Sequence, residues 1–256
     1  MKGGERFQKI LRKTLRIALQ LVLLSFFLFI GHRGYALISE DSFFQVREVQ
    51  VEGCRKVPQE TFLSLIRMEG MPNLFAVKLK EVAKELESHP WVEKVGARKV
   101  FPDKILIRVE ERKPIAILQL EDLYYIDSKG MIFSRVGDRD DYNYPFLTGL
   151  TRQLLEKNSA ETKGLLTKAL ELLRIVNQER ALPLKEISEI HMEKTFGIDC
   201  FTQAEGLEVR LGWEDFREKL KRLSLVWSDL QKRGFSAALI DCSDLERMVV
   251  KKVDQR

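Results

Sequence analysis

The sequence predicts an α+β protein in three parts: a single N-terminal transmembrane helix, a small β-α-α-β-β unit, and an antiparallel β-sheet domain with two long helices. Three observations carry this reading. A basic tail abuts an apolar run at the N-terminus. The segment up to residue 113 moves from strand-like alternation to helical spacing and back again. The remainder interleaves short strand-like runs with two long amphipathic stripes. A chain of 256 residues has room for more than one such unit.

The tail defines the first part. Lys2, Arg6, Lys9, Arg12, Lys13 and Arg16 face only Glu5, which gives +5, and the whole chain is also +5. Everything after Arg16 therefore sums to zero. The pI near 9.0 is a statement about topology. It is not a nucleic-acid footprint, because the rest of the chain has no surplus cation to exchange for counterions on phosphates. Ile17 to Ile30 is apolar except for Gln20 and Ser25. Basic residues ahead of an apolar segment keep the N-terminus in the cytoplasm. The 14-residue run also fits a signal-peptide core, and Gly34-Tyr35-Ala36 offers a small-x-small triplet for cleavage. Extended to Ile38, the segment reaches about 33 Å as a helix at ~1.5 Å per residue. We read residues 1–16 as a cytoplasmic basic tail and 17–38 as an anchor, with His32 and Arg33 snorkelling at its outer end.

Residues 39–113 form the second part. Val46, Val49 and Val51 lie in an extended stretch closed by Gly53. Pro58 opens a short helix bearing Phe62, Leu65 and Ile66 on one face. Gly70-Met71-Pro72-Asn73 is loop. Leu79, Val82, Ala83 and Leu86 mark a second helix, stopped by His89-Pro90. Trp91–Val100 is strand-like. After the Pro102-Asp103 turn, Ile105, Ile107 and Val109 alternate with Arg108 and Glu110.

Residues 114–256 form the third part, after the charged link Glu111–Pro114. Ile115–Leu120 and Tyr124–Ile126 read as strands, and Asp127-Ser128-Lys129-Gly130 as a hairpin turn before Met131-Ile132-Phe133. A helix near Ser159–Glu179 carries Leu165, Leu166, Ala169, Leu172, Leu173 and Val176. Strands are expected around Ile187–His191, Gly197–Phe201 and Leu207–Leu211. A second helix carries Trp213, Phe216, Leu220, Leu223, Trp227 and Leu230, with the tryptophans in its apolar stripe. Two strands, near Ala237–Cys242 and Arg247–Val253, close the chain.

The sequence offers little to a catalyst. None of His32, His89 and His191 has a Cys, Asp or Glu at metal-ligand spacing. His89 sits where a partial positive charge suits a helix C-terminus. Asp138-Arg139-Asp140-Asp141 lacks the alternation of a calcium loop and reads as a solvated turn. Neither Gly3-Gly4 nor Gly31-x-x-Gly34 follows a strand as a phosphate loop would. Cys54, Cys200 and Cys242 are too few and odd in number for a disulfide framework. A Cys200–Cys242 bridge stays open at this stage beside the simpler reading of buried free thiols. No catalytic, cofactor or metal residue is assigned, and no small-molecule substrate is expected.

The second part resembles a POTRA domain. The residues that carry this are Val46–Gly53, Phe62–Ile66, Asn73-Leu74-Phe75, His89-Pro90-Trp91-Val92-Glu93-Lys94-Val95 and the run from Phe101 to Ala116. Tyr124–Phe133, Tyr144–Gly149 and Leu211-Gly212 extend the match, and the chain as a whole resembles the FtsQ/DivIB family of bacterial cell-division proteins. Where that family commonly carries Asp-Leu-Arg in its penultimate strand, this chain has Asp241-Cys242-Ser243.

The resemblance implies a single-pass scaffold of the inner membrane at the division septum. It would join early division proteins to FtsB- and FtsL-like partners that regulate septal peptidoglycan synthesis. A terminal strand is a ready template for another chain, so partner contact is expected at Leu239, Asp241, Arg247, Met248, Val249, Val250, Lys251 and Lys252. Lys251 and Lys252 serve equally as gatekeepers against aggregation. Two other classes compete. A secreted POTRA-type module for outer-membrane protein assembly or secretion would show cleavage near Ala36 and repeated units or a barrel. A membrane-anchored envelope enzyme would show a nucleophile or a carboxylate pair.

Overall fold

A computed structural model describes residues 18–31, 33, 42–66, 70, 72–138, 140, 142–157, 160–179, 186–203 and 206–253. The basic tail 1–16, His32, the Gly34-Tyr35-Ala36 triplet and the outer end of the expected anchor lie outside these residues. The chain divides into two compact units, with the boundary between Glu111 and Arg112. Residues 18–31 are helical (α1) and carry exposed apolar side chains, among them Leu19, Val22, Phe27 and Phe29. No helix among the described residues is long and apolar enough to cross a membrane.

The first unit builds a three-stranded sheet from β1 (Glu48–Glu52), β2 (Val92–Val100) and β3 (Lys104–Glu111), in the order β1-β3-β2. Helices α2 (Gln59–Leu65) and α3 (Leu79–Glu87) separate β1 from β2. This long helical crossover allows β1 to lie parallel to β3, while β2 and β3 form an antiparallel hairpin. Pro58 caps α2 from the outside with ψ 142, so the helix begins one residue later than its proline suggests. The alternation in β3 is the expected one: Ile105, Ile107 and Val109 are buried, and Arg108 and Glu110 face solvent. Phe62 from α2, Leu86 from α3 and Leu74 from the loop complete this core.

The second unit is a single nine-stranded sheet. Its strands are β4 (Pro114–Gln119), β5 (Leu123–Asp127), β6 (Ile132–Arg135), β7 (Phe146–Thr148), β8 (Ile187–Glu193), β9 (Gly197–Thr202), β10 (Glu208–Gly212), β11 (Ala237–Asp241) and β12 (Val249–Lys252). They run in the order β12-β11-β10-β9-β8-β7-β4-β5-β6. The expected all-antiparallel sheet is corrected to a mixed one, because β4/β7, β7/β8 and β10/β11 are parallel pairs. Two of these follow from helices between neighbouring strands. The short α4 (Arg152–Glu156) and α5 (Ala160–Glu179) carry the chain from β7 to β8, and α6 (Phe216–Lys232) carries it from β10 to β11. Leu165, Leu172 and Val176 of α5 and Phe216, Leu220 and Leu223 of α6 share one core with Leu147, Ile190, Val209 and Ile240 of the sheet.

Two smaller expectations are also corrected. Trp213 precedes α6 and is exposed rather than part of its stripe; Asp215, with φ 59, breaks the chain between them. Trp227 does pack against the core. His89 acts through its ring nitrogen rather than through a positive charge. Its Nδ1 accepts from the Trp91 N–H at 3.3 Å, and burial lowers its pKa.

Candidate functional site

The chain's last described strand is also the last strand of its sheet. β12 pairs with β11 alone among the described residues. The register is antiparallel: Ala237 opposite Lys252, Leu239 opposite Lys251, Ile240 opposite Val250, and Asp241 opposite Val249, with an irregularity between Ala237 and Leu239. The outer N–H and C=O groups of an edge strand are free for a further strand to pair with. Successive side chains point to opposite faces. Val250 therefore follows Ile240 toward the helices and packs on the core, as does Met248. Val249, 47 % exposed, and Lys251 lie on the other face with Asp241 and Leu239. Lys252 places its ammonium 5.2 Å from the Phe235 ring. Arg247, in the connector before β12, is exposed.

The structure thus brings seven of the eight expected residues onto or beside one two-stranded edge, with Arg247 in the connector leading into it. Sequence reading missed what fixes that connector. The Asp241 carboxylate accepts from the Ser243 N–H at 2.9 Å and from its hydroxyl at 2.6 Å. Asp244 accepts from the Glu246 N–H at 2.8 Å. Arg222, on α6, donates to the Leu245 carbonyl. Cys242 N–H donates to the Arg210 carbonyl at 2.8 Å, holding the end of β11 to β10. Beneath lies Lys219, only 4 % exposed, whose ammonium donates to the Leu211 carbonyl at 2.8 Å. A signal for Lys219 existed in the sequence: it falls within the apolar stripe of α6, three residues after Phe216.

The sheet face opposite the helices carries a polar row. Thr148, His191, Asp199, Arg210 and Asp241 are successive register partners from β7 to β11, and the row ends on the apolar Val249 of β12. Thr148 Oγ1 donates to Glu189 at 2.6 Å and lies 2.8 Å from His191 Nδ1. Burial raises the pKa of Asp199, against the pull of Arg210. No group of three or more His, Cys, Asp or Glu among the described residues is arranged to hold a metal ion.

The cysteines are free thiols. Cys200 is register partner to Val209, and Val209 in turn to Ile240, so β10 stands between the strands carrying Cys200 and leading to Cys242. Two inter-strand steps of about 4.8 Å exceed the reach of a disulfide. Burial pushes the Cys200 thiol up strongly and the Cys242 thiol up to about 12.

A two-helix, three-strand unit followed by a mixed sheet that ends on an edge strand is the architecture of a POTRA-bearing protein. Comparison with known families makes the class specific. Residues 44–112 match the FtsQ-type POTRA domain, and residues 116–256 match the C-terminal domain of cell division protein FtsQ/DivIB. The chain belongs to the FtsQ/DivIB family of cell-division proteins. It is 33 % identical over 218 residues to cell division protein FtsQ of Syntrophotalea carbinolica, covering 85 % of this chain and 77 % of that protein. Against the FtsQ of Geotalea daltonii the identity is 29 % over 247 residues, 96 % of this chain and 90 % of the relative. The FtsQ of an Anaeromyxobacter species is 30 % identical over 214 residues, 84 % of this chain and 72 % of that protein.

Proposed function

We propose that this protein is a bitopic scaffold of the division septum that acts through protein–protein contact and not through catalysis. Residues 17–38 anchor it in the cytoplasmic membrane, with residues 1–16 inside and both folded units outside. The edge strand β12 takes up a strand from an FtsB-like partner, and an FtsL-like protein joins through that partner. Recruitment of these later proteins to the early ring then regulates septal peptidoglycan synthesis.

The observation that carries this reading is the outer edge of β12, which no strand among the described residues pairs with, and which has Val249 and Lys251 on one face and Val250 and Lys252 on the other. Main-chain pairing would fix the register of a partner, and the alternating side chains would select it. Depletion of the protein in its own cell, followed by fluorescence microscopy, tests the function. Filaments with early division proteins in rings and the later proteins missing support it. Normal septation, or filaments with the full set of division proteins assembled, contradicts it.

A further inference from the structure

The POTRA unit carries an aromatic cluster that its own fold does not bury. Phe43 and Phe101 are 58 % and 60 % exposed. With Phe44 and Phe75 they form a continuous ladder: centroids are 5.1 Å apart for Phe43–Phe44, 5.2 Å for Phe44–Phe75 and 5.5 Å for Phe75–Phe101.

Three separate chain segments are fastened to make it. Leu74 N–H donates to the Phe44 carbonyl at 2.7 Å, Val46 N–H to the Pro72 carbonyl at 3.0 Å, and Arg47 N–H to the Asp103 carbonyl at 2.8 Å. The ladder is thus held by backbone bonds and is not a chance cluster of mobile side chains.

Its surroundings are basic. Lys99 Nζ donates to the Phe75 carbonyl at 3.1 Å, and Lys99 and Lys80 line one cleft with Val77, Lys78, Leu79 and Glu81. Among the nearby acids, Asp103 lies 4.0 Å from Arg47, Glu48 pairs with Lys104 at 2.9 Å, and Glu81 pairs with Lys78 at 3.0 Å.

The tether supplies the last constraint. Phe43 follows Ile38, the outer end of the anchor, by five residues, which span at most about 17 Å fully extended. With residues 17–38 in a bilayer as proposed above, a tether of that length would keep the cluster near the bilayer surface.

We propose that the Phe43–Phe44–Phe75–Phe101 cluster rests on the surface of that bilayer, with Lys80 and Lys99 drawn to anionic headgroups. The inference depends on residues 17–38 acting as an anchor. Aromatic and basic side chains presented together suit the headgroup boundary, where rings sit among acyl ends and ammonium groups meet phosphates. The attraction of basic side chains to an anionic surface fades within a Debye length. The short tether keeps the lysines close enough to feel it. Such a contact would orient the POTRA unit at the membrane.

Photo-crosslinking of the full chain tests this. p-Benzoylphenylalanine replaces Phe26, Phe101 or Phe196, one at a time, in nanodiscs of phosphatidylcholine with or without phosphatidylglycerol, and lipid adducts are measured by mass spectrometry. Phe26 reports the anchor. Phe196, 66 % exposed in the other unit, reports background. The expected result is strong lipid labelling from position 26, and labelling from position 101 several-fold above that from 196 that falls when phosphatidylglycerol is omitted. Labelling at 26 with only background at 101 overturns the contact and leaves the anchor standing. Absence of labelling at 26 overturns the anchor and this inference with it. Protein adducts in place of lipid adducts at 101 overturn it in favour of a protein partner. Labelling at 101 that is insensitive to phosphatidylglycerol overturns the role given to the lysines.

Discussion

Arg112 donates to the Asp127 carboxylate at 2.6 Å, and the two side chains are only 15 % and 5 % exposed. The other carboxylate oxygen accepts from the Lys129 and Met131 N–H groups, both at 2.9 Å. One residue thus closes the β5–β6 hairpin and holds the first residue of the second unit. Asp127→Ala would leave a buried guanidinium without its carboxylate and strip two turn amides of their acceptor. We expect a loss of about 3–5 kcal/mol from the sheet unit in urea unfolding. Asp127→Asn, which keeps an acceptor for the turn, should cost less.

Glu111, the neighbouring residue, ties down the first unit. Its carboxylate accepts from the N–H groups of Arg55 and Val57 at 3.0 Å and of Lys56 at 2.9 Å. Burial alone would raise its pKa, but these three bonds outweigh it and hold the carboxyl below its ordinary 4.5. A depressed carboxyl stabilises the fold when ionised. Its contribution should be complete above pH 4.5 and disappear as the pH falls through the lowered folded value. Glu111→Gln should flatten that acid limb of the stability profile. At neutral pH it should cost about 1–2 kcal/mol, a charged hydrogen bond's worth reduced for its solvent contact.

Gly149 follows β7 with φ +90, and a Cβ there would lie 2.0 Å from the Met192 carbonyl oxygen of β8. Both the backbone conformation and the space exclude a side chain. Gly149→Ala should destabilise the second unit by about 3 kcal/mol or more, read as a lowered urea midpoint.

Replacing Cys54, Cys200 and Cys242 together with Ala should preserve cooperative unfolding, with a cost on the order of 1–3 kcal/mol for the small cavities. Native Cys200 and Cys242 should resist a thiol reagent at a pH of about 8, where their raised pKa keeps them protonated. They should react once denatured. Collapse of folding in the triple variant would contradict this.

Local pattern alone makes the β-α-α-β-β order of the first unit legible in the sequence. Alternation in Ile105–Val109 and helical spacing in Leu79–Leu86 are short-range signals, and both are present in the fold. The polarity of the large sheet is not legible in the same way. Whether β7 lies beside β8 in parallel depends on how α4 and α5 return the chain, and no residue within a three-residue strand such as Phe146–Thr148 records that. Exposure of Trp213 depends on a left-handed residue, Asp215, that periodicity does not reveal. At the edge, the strand-like run that becomes β12 is readable in the sequence. The anchoring of its connector by Arg222 and Asp241 arises from tertiary packing, and spacing along the chain carries no trace of it.

The edge itself can be perturbed while the centre of the core is left intact. Val250→Pro removes one backbone donor and fixes φ in β12, so partner binding should weaken at least about tenfold while the domain stays folded. Lys251→Ala and Lys252→Ala should weaken binding less, and mainly at low salt, as rim charges do.

The most direct test is a calorimetric titration of the FtsB-like partner's extracytoplasmic segment into the full chain and into a chain ending at Asp244, after circular dichroism shows that the shortened chain is folded. Removal of β12 should abolish the binding heat. Binding to the folded, truncated chain at full strength would place the interface elsewhere and contradict the account.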